Sequence, residues 1–158
     1  MAKRSKLYLI FSHGDQDSDF EIDFATSDLA AFESMAEEYE LELDTDLLSE
    51  QSYQDLGFDD NLLRHYHAYA FDMKVRDGME LFALCANGDE EYCWIGAVEG
   101  VFSGRDEARR ALIEKTGLDE MSDWDEEKIG RELKNFDAGG CYTDANCTYW
   151  QCLPFRPN

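Results

Sequence analysis

Two turn dipeptides in the middle of the chain constrain its fold more than any other feature. Asp77-Gly78 and Asn87-Gly88 each supply the residues that tight β-hairpin turns require. Apolar and polar side chains alternate over residues 69–75 before the first turn, and strand-like runs follow at 79–86 and 92–102. This pattern predicts a three-stranded antiparallel meander.

Further strands flank the meander. The apolar run Leu7–Phe11 and the alternating run Phe20–Phe24 are joined by a polar link, which predicts an N-terminal hairpin with acids on its exposed face. Residues 148–153 are predicted to form a last short strand. Residues 47–63 are acidic and typical of turns, and a short helix is compatible with residues 60–64.

Longer helices are predicted where apolar residues recur at spacings of three and four. Ser27 is the expected N-cap of the first helix, which begins at Asp28 and ends near Glu40. The second closes at Gly117, and the third begins near residue 122 and is broken by residues 137–140. We find no internal repeat. The chain is therefore predicted to be one α+β domain over residues 1–158, with a mainly antiparallel sheet and about three helices.

The charge is large and unevenly spread along the chain. The net charge is -22, and residues 7–63 contain seventeen Asp and Glu but no Lys or Arg, whereas residues 64–158 contain nineteen acids and eleven bases. With 44% apolar and 13% aromatic residues, the chain is not of the disordered class. Direct binding to nucleic acid or to an anionic membrane is disfavoured, because both require basic side chains. Basic proteins and cations are the partners that such a surface attracts.

The densest acidic stretch is residues 38–46, in which every second residue is an acid. In an extended chain, same-face neighbours lie roughly 6.6 Å apart, so these five carboxylates would form a row about 26 Å long. The helix that precedes them competes for the first of these residues, and we expect the chain to extend after Glu40. The predicted partner-binding residues are Glu37, Glu38, Glu40, Glu42, Asp44 and Asp46, joined by Asp19, Glu21 and Asp23 of the hairpin.

This composition and charge layout resemble those of the DNA-mimic inhibitors that phages and mobile elements carry against restriction or CRISPR machinery. A row of carboxylates has a spacing on the scale of backbone phosphates, so it could occupy the basic groove of a nucleic-acid-binding protein. Acidic immunity proteins that neutralise basic nuclease toxins would share the same surface. The excess acid is also compatible with a solvated face or with a halophilic origin. A symmetric homodimer would extend the row.

Three other patterns indicate weaker alternatives based on metal binding or catalysis. Asp15, Asp17 and Asp19 match the first ligands of an EF-hand, but the required Gly and Glu are replaced by Phe20 and Thr26. The pair His65 and His67 has strand spacing, and the group Cys141, Cys147 and Cys152 has spacings that are untypical of zinc sites. No nucleophile elbow, phosphate loop, dinucleotide fingerprint or zinc-protease motif is present. We predict no cofactor, no metal and no catalytic residue.

The cysteine count and the hydropathy favour a cytoplasmic protein. The chain has five cysteines, an odd number that does not suggest a disulfide framework. No apolar run approaches the roughly 20 residues of a membrane span. The sequence therefore predicts an acidic cytoplasmic protein that binds a basic nucleic-acid-binding protein.

Overall fold

The computed structural model describes residues 6–14, 20–44, 52–61, 63–76, 78–90, 93–118, 125–144 and 148–157. The chain divides into two compact units, which we call the N-terminal unit and the C-terminal unit. The N-terminal unit comprises Met1–Asp15, Asp19–Glu80 and Phe155–Asn158, and the C-terminal unit comprises Gln16–Ser18 and Leu81–Pro154. That residues 1–158 act as one domain stays a prediction.

The N-terminal unit is a four-stranded antiparallel sheet with one helix. Its elements are β1 (Lys6–Gly14), β2 (Phe20–Thr26), α1 (Leu29–Glu38), β3 (Ser52–Asp59) and β4 (Arg64–Asp72). The strand order is β2-β1-β4-β3, so β1 and β4 are central and β3 is an edge strand. The predicted N-terminal hairpin is confirmed as the pair β1 and β2. Helix α1 begins after Asp28, whose side chain accepts a hydrogen bond from the backbone N–H of Ala30, so Asp28 rather than Ser27 is the cap.

The C-terminal unit has a second four-stranded sheet and two helices. Its elements are β5 (Leu81–Glu90), β6 (Cys93–Phe102), α2 (Arg105–Thr116), α3 (Glu126–Asp137), β7 (Tyr142–Thr143) and β8 (Tyr149–Phe155). The strand order is β6-β5-β8-β7. Helix α2 ends at Gly117 in the left-handed conformation, as predicted. No helix in the described part of the chain is long and apolar enough to cross a membrane.

The two units share one topology. In each, two strands are followed by helix and then by two more strands, and the first and last strands of the unit lie in the centre of the sheet. Each unit also has a β-bulge at the same place. The register of β1 and β2 leaves Asp23 as the extra residue between Phe24 and Ile22, and the register of β5 and β6 leaves Glu99 as the extra residue. The match indicates two copies of one structural unit.

Each sheet packs a hydrophobic core against its helix or helices. In the N-terminal unit the core consists of Tyr8, Ile10, Phe32, Ala36, Tyr66, Ala68 and Ala70. In the C-terminal unit it includes Phe82, Leu84, Ala108, Leu112, Phe136 and Trp150. Burial of such side chains is the main stabilising term, at roughly 25 cal/mol per Å² of apolar surface.

The α+β class and the three helices are confirmed, and two details of the sheet prediction are wrong. The predicted meander breaks at its first strand, because β4 pairs with β1 and β3 in the first sheet, whereas β5 and β6 pair in the second. Residues 52–59, predicted as turns, form β3, and Arg64 begins β4, so no helix forms at the end of this segment. Alternation of side chains identifies strands but does not show which strands pair. The acids of β3 and its bulge, at which Leu56 is the extra residue, conceal this strand.

Candidate functional site

Helix α1 carries its acidic residues at the end where they oppose the helix dipole. Apart from the N-cap Asp28, its first turn has no acid and its last turn has no base, whereas Glu37 and Glu38 lie exposed in that last turn. The C-terminal end of a helix carries partial negative charge, so each acid there is unfavourable by about 0.3–1 kcal/mol. Helices α2 and α3 have two acids each in the first turn, and their last turns contain a lysine as well as an acid: Lys115 and Glu114 in α2, and Lys134 and Asp137 in α3.

The residue that ends α1 is a second unfavourable choice. Glu40 has a φ of 58°, in the left-handed region, where glycine is usual. Its N–H donates to the carbonyl of Glu37 over 2.9 Å, and the N–H of Leu41 donates to the carbonyl of Ala36 over 2.9 Å, which together form a Schellman motif. A left-handed residue with a side chain costs about 1 kcal/mol. Glu40 is therefore unfavourable for two reasons: its left-handed backbone conformation and its negative charge at the C-terminal end of the helix.

After the helix, residues 41–44 alternate in exposure. Leu41 and Leu43 pack against the core of the N-terminal unit, and Glu42 and Asp44 are exposed. Gln54 of β3 holds this segment, because its Nε2 donates to the carbonyl of Glu42 over 2.9 Å and its Oε1 accepts from the N–H of Asp44 over 3.0 Å. The acidic row therefore follows the helix as Glu40, Glu42 and Asp44, while Glu38, expected to open an extended row, lies in α1.

Two open grooves flank this segment, and both have an acidic rim and an apolar floor. The larger, about 680 Å³, is lined by Glu42, Leu43, Asp44, Gln54, Asp55, Leu56 and Gly57. The smaller, about 240 Å³, is lined by Glu33, Ala36, Glu37, Leu41 and Leu43. Leu43 borders both grooves. Long basic side chains suit such grooves, because their aliphatic stems cover apolar surface while their charged ends reach carboxylates.

Four acids at and just after the end of α1 are not neutralised within the part of the chain that the structure describes. Glu37, Glu38, Glu40 and Glu42 make no ion pair with any described residue. Three bases of the N-terminal unit pair elsewhere: Lys6 with Asp72, Arg64 with Glu21 and Arg156 with Glu80. We call Glu33, Glu37, Glu38, Glu40, Glu42 and Asp44 the acidic surface.

The two predicted hairpin acids that the structure describes have different surroundings. Glu21 is exposed, and its Oε2 lies 3.8 Å from Nη2 of Arg64. Asp23, at the bulge, is largely buried, accepts a hydrogen bond from Ser12, and leaves its Oδ2 without a partner among the described residues. Burial raises the pKa of the Asp23 carboxyl to about 6, against the smaller opposing effects of the Ser12 hydrogen bond and the Arg64 charge. Asp23 therefore does not lie on the solvent face of the hairpin, as the alternating pattern predicted.

All three histidines of the chain meet on the helix-free face of the first sheet. The rings of His13 and His65 stack with centroids 4.9 Å apart, and Nε2 of His13 lies 3.1 Å from Nε2 of His67. Nδ1 of His13 lies 3.0 Å from the carbonyl oxygen of Gly14, and Nδ1 of His67 lies 3.0 Å from the hydroxyl of Tyr53. The strand spacing of the pair His65 and His67 predicted one face for both, but His13 was missed.

The hydrogen bonds assign the protons of the two buried imidazoles. A carbonyl only accepts, so His13 carries its proton on Nδ1, and its bare Nε2 accepts from Nε2–H of His67. Nδ1 of His67 then accepts from the Tyr53 hydroxyl. Burial, followed by the charge of His13, lowers the pKa of His67 to about 4. The His67 ring is therefore neutral at neutral pH. The described residues include no group of three side chains arranged to hold a metal ion.

Three cysteine side chains are described, and two of them are buried thiols. Cys85 and Cys152 are buried free thiols, and Cys141 is half-buried. Burial raises the pKa of the Cys152 thiol to about 11 and raises that of Cys85 as well, so both are poor nucleophiles at neutral pH.

Several predicted residues lie outside the described part of the chain. They are Asp46 of the acidic row, Asp19 of the hairpin, Asp15 and Asp17 of the calcium-like loop, and Cys147. The partner-binding role of Asp46 and Asp19 stays a prediction.

Comparison with known proteins supplies no relative. No protein-family model, no curated protein and no solved structure matches this chain.

Proposed function

We propose that this protein is a cytoplasmic binding protein that places its acidic surface in the nucleic-acid-binding groove of a basic protein and blocks it, as phage-borne DNA mimics do. The observation that carries the proposal is the position of Glu37, Glu38 and Glu40 at the C-terminal end of α1. There each carboxylate opposes the helix dipole, and Glu40 also opposes its own backbone preference. An arrangement that lowers stability in this way calls for a role outside folding.

Total charge does not distinguish the two units. The N-terminal unit has nineteen acids and seven bases, a net of −12, and the C-terminal unit has seventeen acids and seven bases, a net of −10. A solvated or halophilic surface would explain such an even division. It would not explain why the last turn of α1 has acids and no base, whereas the last turns of α2 and α3 contain a lysine as well as an acid. The placement of the acids therefore favours the binding function.

The grooves beside the acidic surface supply apolar contact area, which charge alone does not. Exposed charges mainly raise the rate of association and add little affinity. The apolar floor formed by Leu41, Leu43 and Leu56 offers contact area for the stems of Lys and Arg side chains. The basic groove of a nucleic-acid-binding protein, which normally binds phosphates, presents such side chains in a row.

Charge reversal tests the proposal. The variant Glu40→Lys/Glu42→Lys/Asp44→Lys changes the acidic surface, and Glu114→Lys/Glu126→Lys/Glu127→Lys makes the same charge change at exposed positions of the C-terminal unit. Immobilised wild-type protein should retain a basic host protein that elutes as salt rises and that duplex DNA displaces. We expect the first variant to lose this retention and the second to keep it, with folding of both checked by circular dichroism. Retention by the first variant with unchanged salt dependence would show that the acidic surface is not the binding site.

A further inference from the structure

A polar site next to the acidic surface combines two tyrosine rings with two acids. Tyr39 caps α1 and is 42% exposed, and its ring centroid lies 6.3 Å from that of buried Tyr66 on β4, at an angle of 51°. Burial and then the charges of Asp23, Glu21 and Glu38 raise the pKa of the Tyr39 phenol, so these carboxylates lie within electrostatic reach of its ring. Asp23 likewise acts on Tyr66. We call Tyr39, Tyr66, Asp23 and Glu21 the Tyr39 site.

We propose that the Tyr39 site binds the guanidinium or ammonium group of one Arg or Lys side chain of the basic partner. The inference rests on the proposed function and adds to it an anchoring position. An exposed aromatic ring beside carboxylates suits a cation, because the ring face and the acids attract the same charge.

The site has more negative than positive charge. Arg64 is the base that acts on it, and that side chain is already engaged, since its Nε donates to the hydroxyl oxygen of Ser12 over 2.9 Å and its Nη2 lies 3.8 Å from Glu21. Ser12 in turn donates to Asp23. One arginine therefore faces two carboxylates, and Oδ2 of Asp23 has no hydrogen-bond donor among the described residues.

The C-terminal unit shows how the same position is satisfied internally. Its bulge residue, Glu99, is exposed and lies 3.6 Å from Nζ of Lys115 on α2. The N-terminal unit has no base in the last turn of α1, and Tyr39 follows that turn instead. The place that a lysine of the chain occupies in one unit is thus open to a cation from outside in the other.

Binding at this site should be linked to a proton. Asp23 is surrounded by Ser12 of β1, Glu21 of β2, Arg64 and Tyr66 of β4, and Tyr39 at the end of α1. Near pH 6 its carboxyl is about half protonated, because of the burial described above. A cation placed against Tyr39 favours the ionised carboxylate, so it should displace this proton.

The test is calorimetric titration with a hexa-arginine peptide at pH 6 in two buffers of different ionisation enthalpy, which yields the number of protons released. Wild-type protein should release a fraction of a proton, at most about half, and Asp23→Asn should bind without releasing it. Tyr39→Ala should weaken binding roughly two- to fivefold, and Tyr39→Phe should not, since the ring and not the hydroxyl contacts the cation. Phe58→Ala is the matched control, because Phe58 is 41% exposed in the same unit.

The outcomes separate this proposal from the proposed function. If hexa-arginine binds wild type and loses affinity in Glu40→Lys/Glu42→Lys/Asp44→Lys, but Tyr39→Ala and Asp23→Asn behave as wild type, the acidic surface binds cations and the Tyr39 site is wrong. If hexa-arginine fails to bind wild type, both proposals are wrong. Equal loss of affinity in Tyr39→Ala and Phe58→Ala would also reject a specific role of Tyr39.

Discussion

Replacing Asp23 by Asn should stabilise the protein at neutral pH and should have little such effect in acid. Asn has nearly the same shape, and its side-chain oxygen can accept the Ser12 hydrogen bond in place of the carboxylate. The substitution removes only the ionisation of a largely buried group. Because the folded-state pKa lies above the unfolded one, ionisation favours unfolding, and the stability that Asp23 has in acid is lost as pH rises through about 6.

The size of the effect follows from the two pKa values. Burial raises the pKa from its ordinary value of 3.8 to about 6, and one pKa unit corresponds to about 1.4 kcal/mol, which gives about 3 kcal/mol in full. The same relation gives a gain for Asp23→Asn of about 3 kcal/mol at pH 7, about half of this at pH 5 and under about 1 kcal/mol at pH 4. In a chain of this length the gain at pH 7 corresponds to roughly 6 to 12 °C in Tm.

Urea unfolding of wild type and Asp23→Asn at pH 4, 5, 6, 7 and 8 measures this difference. The change between pH 4 and pH 7, about 2 to 3 kcal/mol, is the diagnostic quantity, since pH-independent effects of the amide cancel in it. Glu42→Gln is the control, because it removes the same charge from an exposed position. A free-energy difference between wild type and Asp23→Asn that stays constant within about 0.5 kcal/mol over this range would refute the burial of an ionised Asp23.

Three further substitutions test the remaining features. Glu40→Gly should raise the free energy of unfolding by about 1 kcal/mol, because glycine tolerates the left-handed conformation. Urea unfolding at pH 7 measures this, and an unchanged midpoint would contradict it. Glu38→Gln should stabilise α1 by about 0.3–1 kcal/mol, an effect that salt should diminish, whereas Glu33→Gln, at an exposed position in the middle of the same helix, should have no such effect. His67→Gln should make stability less dependent on acid pH. The pKa of His67 is about 4 in the folded state against the ordinary 6.5, so its neutral ring stabilises the fold above pH 6.5. This contribution, as much as about 3 kcal/mol, is lost as pH falls through about 4. Equal acid sensitivity of wild type and His67→Gln would contradict this role of the buried imidazole.

Local patterns predicted most of the elements. The hairpin of β1 and β2 and the three helices were predicted from alternation, spacing and caps, and these signals depend on neighbouring residues only. Pairing between distant strands carries no local signal. The central pair joins Lys6 to Asp72, so the first strand of the predicted meander was assigned to the wrong sheet.

The duplication of the unit was also hidden from the sequence. Aligning the two bulges matches Leu7–Asp15 with Leu81–Asp89. Among these nine positions only three are identical: the first Leu, the Gly and the final Asp. The same alignment places His13 opposite Asn87, and both are buried polar residues. Identity this low is not distinguishable from chance in one sequence. The shared strand order and bulge, which are three-dimensional features, are what reveal it.

The acidic residues were predicted by composition, but their surroundings were not. Alternation placed Asp23 on the exposed face of β2, but Asp23 is the extra residue of the bulge and is largely buried beside Ser12 of β1, which an alternating pattern does not show. Nothing in the spacing of His13 indicated that it would meet His65 and His67, since their contact depends on the register of β1 against β4.

The unfavourable features of the N-terminal unit suggest one discriminating comparison. Acids kept only for solvation would be expected where they cost least, as at the first turns of α2 and α3. In α1, Glu38 and Glu40 lie where they cost most, and Asp23 is buried where ionisation is unfavourable. If these residues are retained for binding, Glu38→Gln, Glu40→Gly and Asp23→Asn should each raise stability and lower affinity for a cationic partner. Stabilisation without loss of affinity would instead indicate that the acids serve the surface alone.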